Sequence, residues 1–127
     1  MTAFTKLVLY TDHNGRAKFR EERVSLDQGT PQTMLSALFP SAGCQLRRSP
    51  VGFRSHFHCT PIPQWVFVLD GEMEIGLQDG SSRVIQPGGH CYASDTLPIG
   101  ATFDPVVHGH WSAQRGPSEL VTLFVKG

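Results

Sequence analysis

Cysteine is scarce in this chain: only Cys44, Cys59 and Cys91 occur. An odd and widely spaced set cannot supply the disulfide framework on which small secreted domains depend. Neither sign of charge is in excess, because 11 Lys and Arg balance 11 Asp and Glu. A balanced chain lacks the basic face that draws nucleic acids and anionic membranes, which excludes a basic nucleic-acid or membrane-surface protein. Long hydrophobic runs are missing too. The longest strongly apolar stretch, Trp65 to Leu69, falls far short of the ~20 residues of a spanning helix. After Lys6 the apolar run ends at Tyr10, too soon for a signal-peptide core. From these absences we expect a soluble, cytoplasmic protein with neither nucleic-acid nor membrane partners.

What is plentiful is turn chemistry, 13 Gly and 9 Pro in 127 residues. A chain of this length implies one domain over 1–127, burying about two thirds of its unfolded surface. Leu7 to Tyr10 reads as a strand closed by Asp12-His13-Asn14-Gly15, and Phe19 to Val24 as its returning hairpin partner. Thr33 to Leu38 reads as a short helical turn, and Cys44 to Arg48 as a strand. Trp65 to Leu69 is a strand covered on both faces. Met73, Ile75 and Leu77 then alternate with Glu72, Glu74 and Gln78 at period two. Turns at Asp70-Gly71, Asp79-Gly80 and Pro87-Gly88-Gly89 set off strands over Ser82 to Ile85 and His90 to Ser94. Leu97 to Pro105 is a loop. His108 to Ser112 and Leu120 to Val125 supply the last strands. Such a meander predicts an all-β sandwich or barrel.

The chemistry concentrates in Gly52-Phe53-Arg54-Ser55-His56-Phe57-His58-Cys59-Thr60-Pro61-Ile62-Pro63-Gln64. Histidines at i and i+2 on a strand share a face, so both imidazoles can reach one ion. Thr60 to Pro63 reverses the chain and Gln64 opens the returning strand. Period two then puts Gln64, Val66 and Val68 on one face and Trp65, Phe67 and Leu69 on the other. Trp65 and Phe67 therefore face away from the histidines, toward the core or a dimer interface. Cys59 and Cys91 are expected as buried small hydrophobes, and His13 as solvated in its hairpin turn.

These residues resemble the cupin family, whose first motif runs Gly, His-x-His, a gap, Glu, six residues and Gly. Here His56-x-His58 is followed by Gln64, with Gly71 after six further residues, so the first motif covers about 52–71. Pro87-Gly88 and the strand after it resemble the start of the second motif, and Gly109-His110 its end, over about 87–110. The resemblance, closest to small single-domain bacterial cupins, implies a double-stranded β-helix, a jelly-roll barrel with an N-terminal β-hairpin that pairs with a second subunit in a homodimer. It also implies a divalent metal ion (Zn, Ni, Mn or Fe) held by His56, His58, Gln64 and a late histidine. That late ligand is best assigned to His110, with His108 and His90 as alternatives.

Gln64 stands where the family carries glutamate. A neutral amide leaves the ion its full charge, unlike the two-His-one-carboxylate set of non-haem iron oxygenases, and suits Lewis-acid polarisation of a small oxygenated or carboxylate substrate in isomerase or lyase chemistry. The alternatives are a small-ligand or metal-binding sensor module without turnover, a metal-dependent dioxygenase, and a vestigial barrel. Arg54, two residues before His56, shares its face and can clamp a carboxylate, or else lies in solvent. Tyr92 lines the barrel interior or fills the core. His108 is the one candidate acid or base.

Overall fold

β-branched and aromatic residues at period two, interrupted by glycines, make strands and leave little that favours helix. The structure, a computed structural model, describes residues 2–127. Among them the chain forms eleven strands and no helix. They are β1 (Ala3–Thr11), β2 (Ala17–Ser25), β3 (Gln28–Thr30), β4 (Thr33–Leu35), β5 (Gly43–Ser49), β6 (Gln64–Asp70), β7 (Glu72–Gly76), β8 (Ser82–Ile85), β9 (His90–Ala93), β10 (Trp111–Arg115) and β11 (Leu120–Lys126). The expected hairpin is β1–β2, paired throughout. Its turn is set by Asp12, whose carboxylate accepts from the Asn14 and Arg16 backbone N–H groups, and by Gly15 at φ +80°.

One sheet has six strands in the order β2-β1-β9-β6-β11-β5, and a second has three, β10-β7-β8. β1 runs parallel to β9, so the N-terminal hairpin is an integral edge of the large sheet. The core lies between the sheets. Leu9, Val66, Val68, Cys91 and Leu120 enter it from the large sheet, and Met73, Ile75 and Ile85 from the small one. Cys91 is thus the buried small hydrophobe the sequence predicts, and Cys59 is half-buried. No described helix is long and apolar enough to cross a membrane.

The alternation expected for β6 holds. Gln64, Val66 and Val68 point inward, while Trp65 and Phe67 stack on the outer face with ring centroids 5.5 Å apart. Trp65 is covered there by Phe39 and Tyr92, whereas Leu69 at the end of the run is exposed, so the strand is covered on both faces only in part.

Two expectations fail. Thr33 to Leu38 is not a helical turn. Thr30 and Thr33 flank Pro31-Gln32 as the ends of the β3–β4 hairpin, and the Thr30 hydroxyl accepts from the Thr33 backbone N–H. Two β-branched residues bracketing a proline favour that turn over a helix. Nor does a strand start at His108. β10 begins at Trp111, because Asp104 gathers Val106, Val107 and His108 into a tight loop by accepting their backbone N–H groups.

Burial lowers the His90 pKa below its ordinary 6.5, and the charge of Lys6 adds to this. The His90 Nε2 also accepts the Leu7 backbone N–H at 3.1 Å, which a protonated ring cannot do. The unfolded chain therefore takes up this proton more readily than the folded one. Stability is full above about pH 6.5 and declines as the pH falls below it. We expect the urea midpoint to drop between pH 7 and 5, and to drop less in His90→Gln. Equal drops in both proteins contradict the assignment.

Candidate functional site

His58 and His110 meet through their backbones. The His58 N–H donates to the His110 carbonyl at 2.9 Å and the His110 N–H to the His58 carbonyl at 3.0 Å. This reciprocal bridge sets the two rings 4.7 Å apart between centroids. Gly109 makes it possible. Its φ is +87°, and a Cβ there would sit 2.6 Å from the His58 carbonyl oxygen.

A second bridge joins Arg54 to Ala113. Between the bridges the first segment advances four residues and β10 only three, so the segment carries one extra residue, as in a β-bulge. An extra residue reverses the face of everything beyond it. Arg54 consequently lies on the outer face of the small sheet, its guanidinium 4.0 Å from the Trp111 ring centroid, while His58 turns inward.

The interior cavity beside the two histidines has a volume of about 100 Å³. Its polar lining is Arg47, His58, Thr60, Gln64, His110 and Ser112, and its apolar wall comes chiefly from Val66, Met73, Ile75 and Phe124. Three of the four residues expected at the metal thus gather on one cavity: His58, Gln64 and His110. His56 does not. Both His56 and His58 are exposed, but only His58 reaches the lining, because the segment is bulged where the i, i+2 argument assumes a regular strand. Among the described residues no group of three His, Cys, Asp or Glu side chains gathers as a metal site. What converges is two imidazoles and an amide.

Both imidazoles are held through Nδ1. The His110 Nδ1 lies 2.8 Å from the carboxylate of Asp95, and both residues are buried. Asp95 is held in turn by the Thr11 hydroxyl, which donates to it at 2.8 Å. The His58 Nδ1 lies 2.9 Å from the His56 backbone carbonyl, an atom that only accepts, so this Nδ1 carries the hydrogen. A carboxylate partner fixes the same tautomer at His110. Each ring then keeps its lone pair on Nε2. Burial, chiefly, holds the His58 pKa below 6.5; the bond to the His56 carbonyl opposes this, and the nearby His110 and Arg47 add to the lowering. His58 is therefore neutral at pH 7, the form that ligates metals.

The remaining expected residues lie elsewhere. Tyr92 is on the outer face, with the Lys6 ammonium 3.8 Å from its ring centroid, because Cys91 and Ala93 take the inward positions of β9. His90 shares that outer face. His108 does not share a face with His110, since Gly109 breaks the strand between them, and its Nδ1 accepts the Asp104 backbone N–H. No residue of the Leu97 to Pro105 loop lines the cavity. Two charged residues of the site escaped the sequence argument, Arg47 on the cavity and Asp95 behind His110. Arg47 alternates with the apolar Cys44 and Leu46, so the pattern of its strand pointed it to the solvent face. Asp95 offered only its place as an acid directly after an apolar strand.

No protein-family model matches the chain, and no curated protein matches it either.

The Gly109 contact gives a direct test of how the histidines are brought together. Gly109→Ala combines a strained φ with a backbone clash and should cost about 1–3 kcal/mol by chemical denaturation, with shifted His58 and His110 ring resonances. Unchanged stability and unchanged spectra contradict the geometry.

Proposed function

We propose that this chain is a jelly-roll barrel of the cupin type, that His58, His110 and Gln64 hold a divalent metal ion in its interior, and that the ion acts as a Lewis acid on a small oxygenated or carboxylate substrate. The observation that carries this reading is the pair of histidines whose Nδ1 atoms are both engaged with oxygen acceptors. Ligating histidines are characteristically fixed in that way, often by a carboxylate such as Asp95, which orients the ring and raises its basicity. The barrel assignment is supported by the path of the chain, which passes from β6 in the large sheet to β7 and β8 in the small one, then alternates through β9, β10 and β11.

The donor set fits such an ion: two imidazoles and an amide oxygen leave coordination positions open on the cavity. A bound divalent ion would polarise a carbonyl or carboxylate oxygen. The chain's own residues do the rest. Asp95 holds His110 in the Nδ1–H tautomer, the His56 carbonyl does the same for His58, and the Val66, Met73 and Ile75 wall keeps bulk water from the inner end. Binding without turnover is the second reading, favoured because no carboxylate, thiol or phenol lines the cavity among the described residues.

Elemental analysis of purified protein tests the metal. We expect near one equivalent in the parent and in His56→Ala, and under about a tenth of that in His58→Ala or His110→Ala. Asp95→Asn should weaken affinity about 10- to 100-fold. Loss with His56→Ala but not with His58→Ala, or no uptake by the parent, overturns the reading.

We also propose that a second copy covers the outer face of the large sheet. Leu46, Leu123 and Phe67 lie side by side across β5, β11 and β6, and Leu46 is 70% exposed. Light scattering should give the dimer mass for the parent and the monomer mass for Leu46→Glu. A monomeric parent contradicts this.

A further inference from the structure

We infer that the cavity takes a short aliphatic carboxylate, with its anionic end on Arg47 and its carbon body against the apolar wall. The inference deepens the proposed function, since it concerns the same cavity, but its anchor is not a metal ligand. Arg47 comes from β5, the edge strand of the large sheet, and reaches the cavity lined by His58 and His110. Its guanidinium lies over Phe53, 4.6 Å from the ring centroid.

No carboxylate lies within ion-pair distance of Arg47 among the described residues, whereas its neighbour Arg48 is bound to Glu119 at 3.2 Å. The one acid close to the histidines, Asp95, is fully buried and engaged by His110 and Thr11, so it does not neutralise the rim. A planar guanidinium with free N–H groups matches a carboxylate in bidentate fashion. A metal ion would add positive charge that none of the side chains lining the cavity offsets, and the demand for an anion grows.

Size and polarity narrow the class. A cavity of about 100 Å³ suits an acid with a chain of a few carbons better than a sugar or an aromatic acid. The wall of Val66, Met73, Ile75 and Phe124 has nothing to offer the further oxygens of a phosphate.

Calorimetric titration of the full chain, with and without Zn²⁺, tests the inference with butyrate, butyramide, benzoate and inorganic phosphate as probes. Butyrate should bind the metal-free protein measurably and the Zn²⁺-loaded protein more tightly, with butyramide, benzoate and phosphate each at least about tenfold weaker. Arg47→Gln, at an exposed position that does not endanger folding, should weaken butyrate about tenfold or more in both forms while leaving Zn²⁺ uptake unchanged. Butyrate binding to metal-free protein that needs Arg47 supports the inference even if the chain takes up no metal. Binding indifferent to Arg47, preference for phosphate or butyramide, or Zn²⁺ uptake with no butyrate binding overturns it, and the last outcome leaves the metal reading standing.

Discussion

Two backbone hydrogen bonds between His58 and His110 hold the site together. They join an irregular segment, carrying prolines at 61 and 63, to the start of β10 and so bring two imidazoles from distant parts of the chain face to face. Everything else in the cavity is arranged around that pairing. Gly109 admits it by having no Cβ, the bulge after Arg54 aims His58 inward, and Asp95 and the His56 carbonyl take up the two Nδ1 atoms. The site is thus built from backbone geometry first and side-chain chemistry second. A strand of perfect regularity would have kept Arg54, His56 and His58 on one face.

The two sheets divide the molecule's chemistry between an interior and an outer face. Inward residues of β6, β9 and β11 meet those of β7 and β8 in a core that closes one end of the cavity. The outer face of the large sheet carries instead a cluster of rings, Trp65, Phe67, His90 and Tyr92, with Lys6 lying over Trp65 and Tyr92. Tyr92, a candidate ligand contact in the sequence, serves here to cover a sheet.

Much of this was legible in the sequence. Asn14-Gly15 and the glycine turns after β6, β7 and β8 announced the hairpin and the meander, because those turns admit few other residue types. The inward set Gln64, Val66 and Val68 followed from period two alone. Period two says which residues share a face, however, and not which face is inside. Tyr92 was accordingly given to the interior that Cys91 and Ala93 occupy. It also assumes an unbroken strand, so His56 and His108 were misjudged, one by a bulge and the other by a glycine. Asp95 was invisible for a different reason: its partners, Thr11 and His110, are respectively 84 and 15 residues away, and no local pattern encodes such contacts. Arg47 was overlooked because Cys44 and Leu46, the apolar residues of its strand, alternate with it and yet lie on the outer face.

The central claim is that His58 and His110 both carry hydrogen on Nδ1 and present a bare Nε2 to the cavity. Long-range ¹H–¹⁵N correlation spectra of the histidine rings in metal-free protein at pH 7.5 test it most directly. The account predicts the Nδ1–H tautomer for both rings, with His110 losing that preference in Asp95→Asn. Nε2–H tautomers at His58 and His110 would contradict it, because neither ring would then offer the cavity a lone pair.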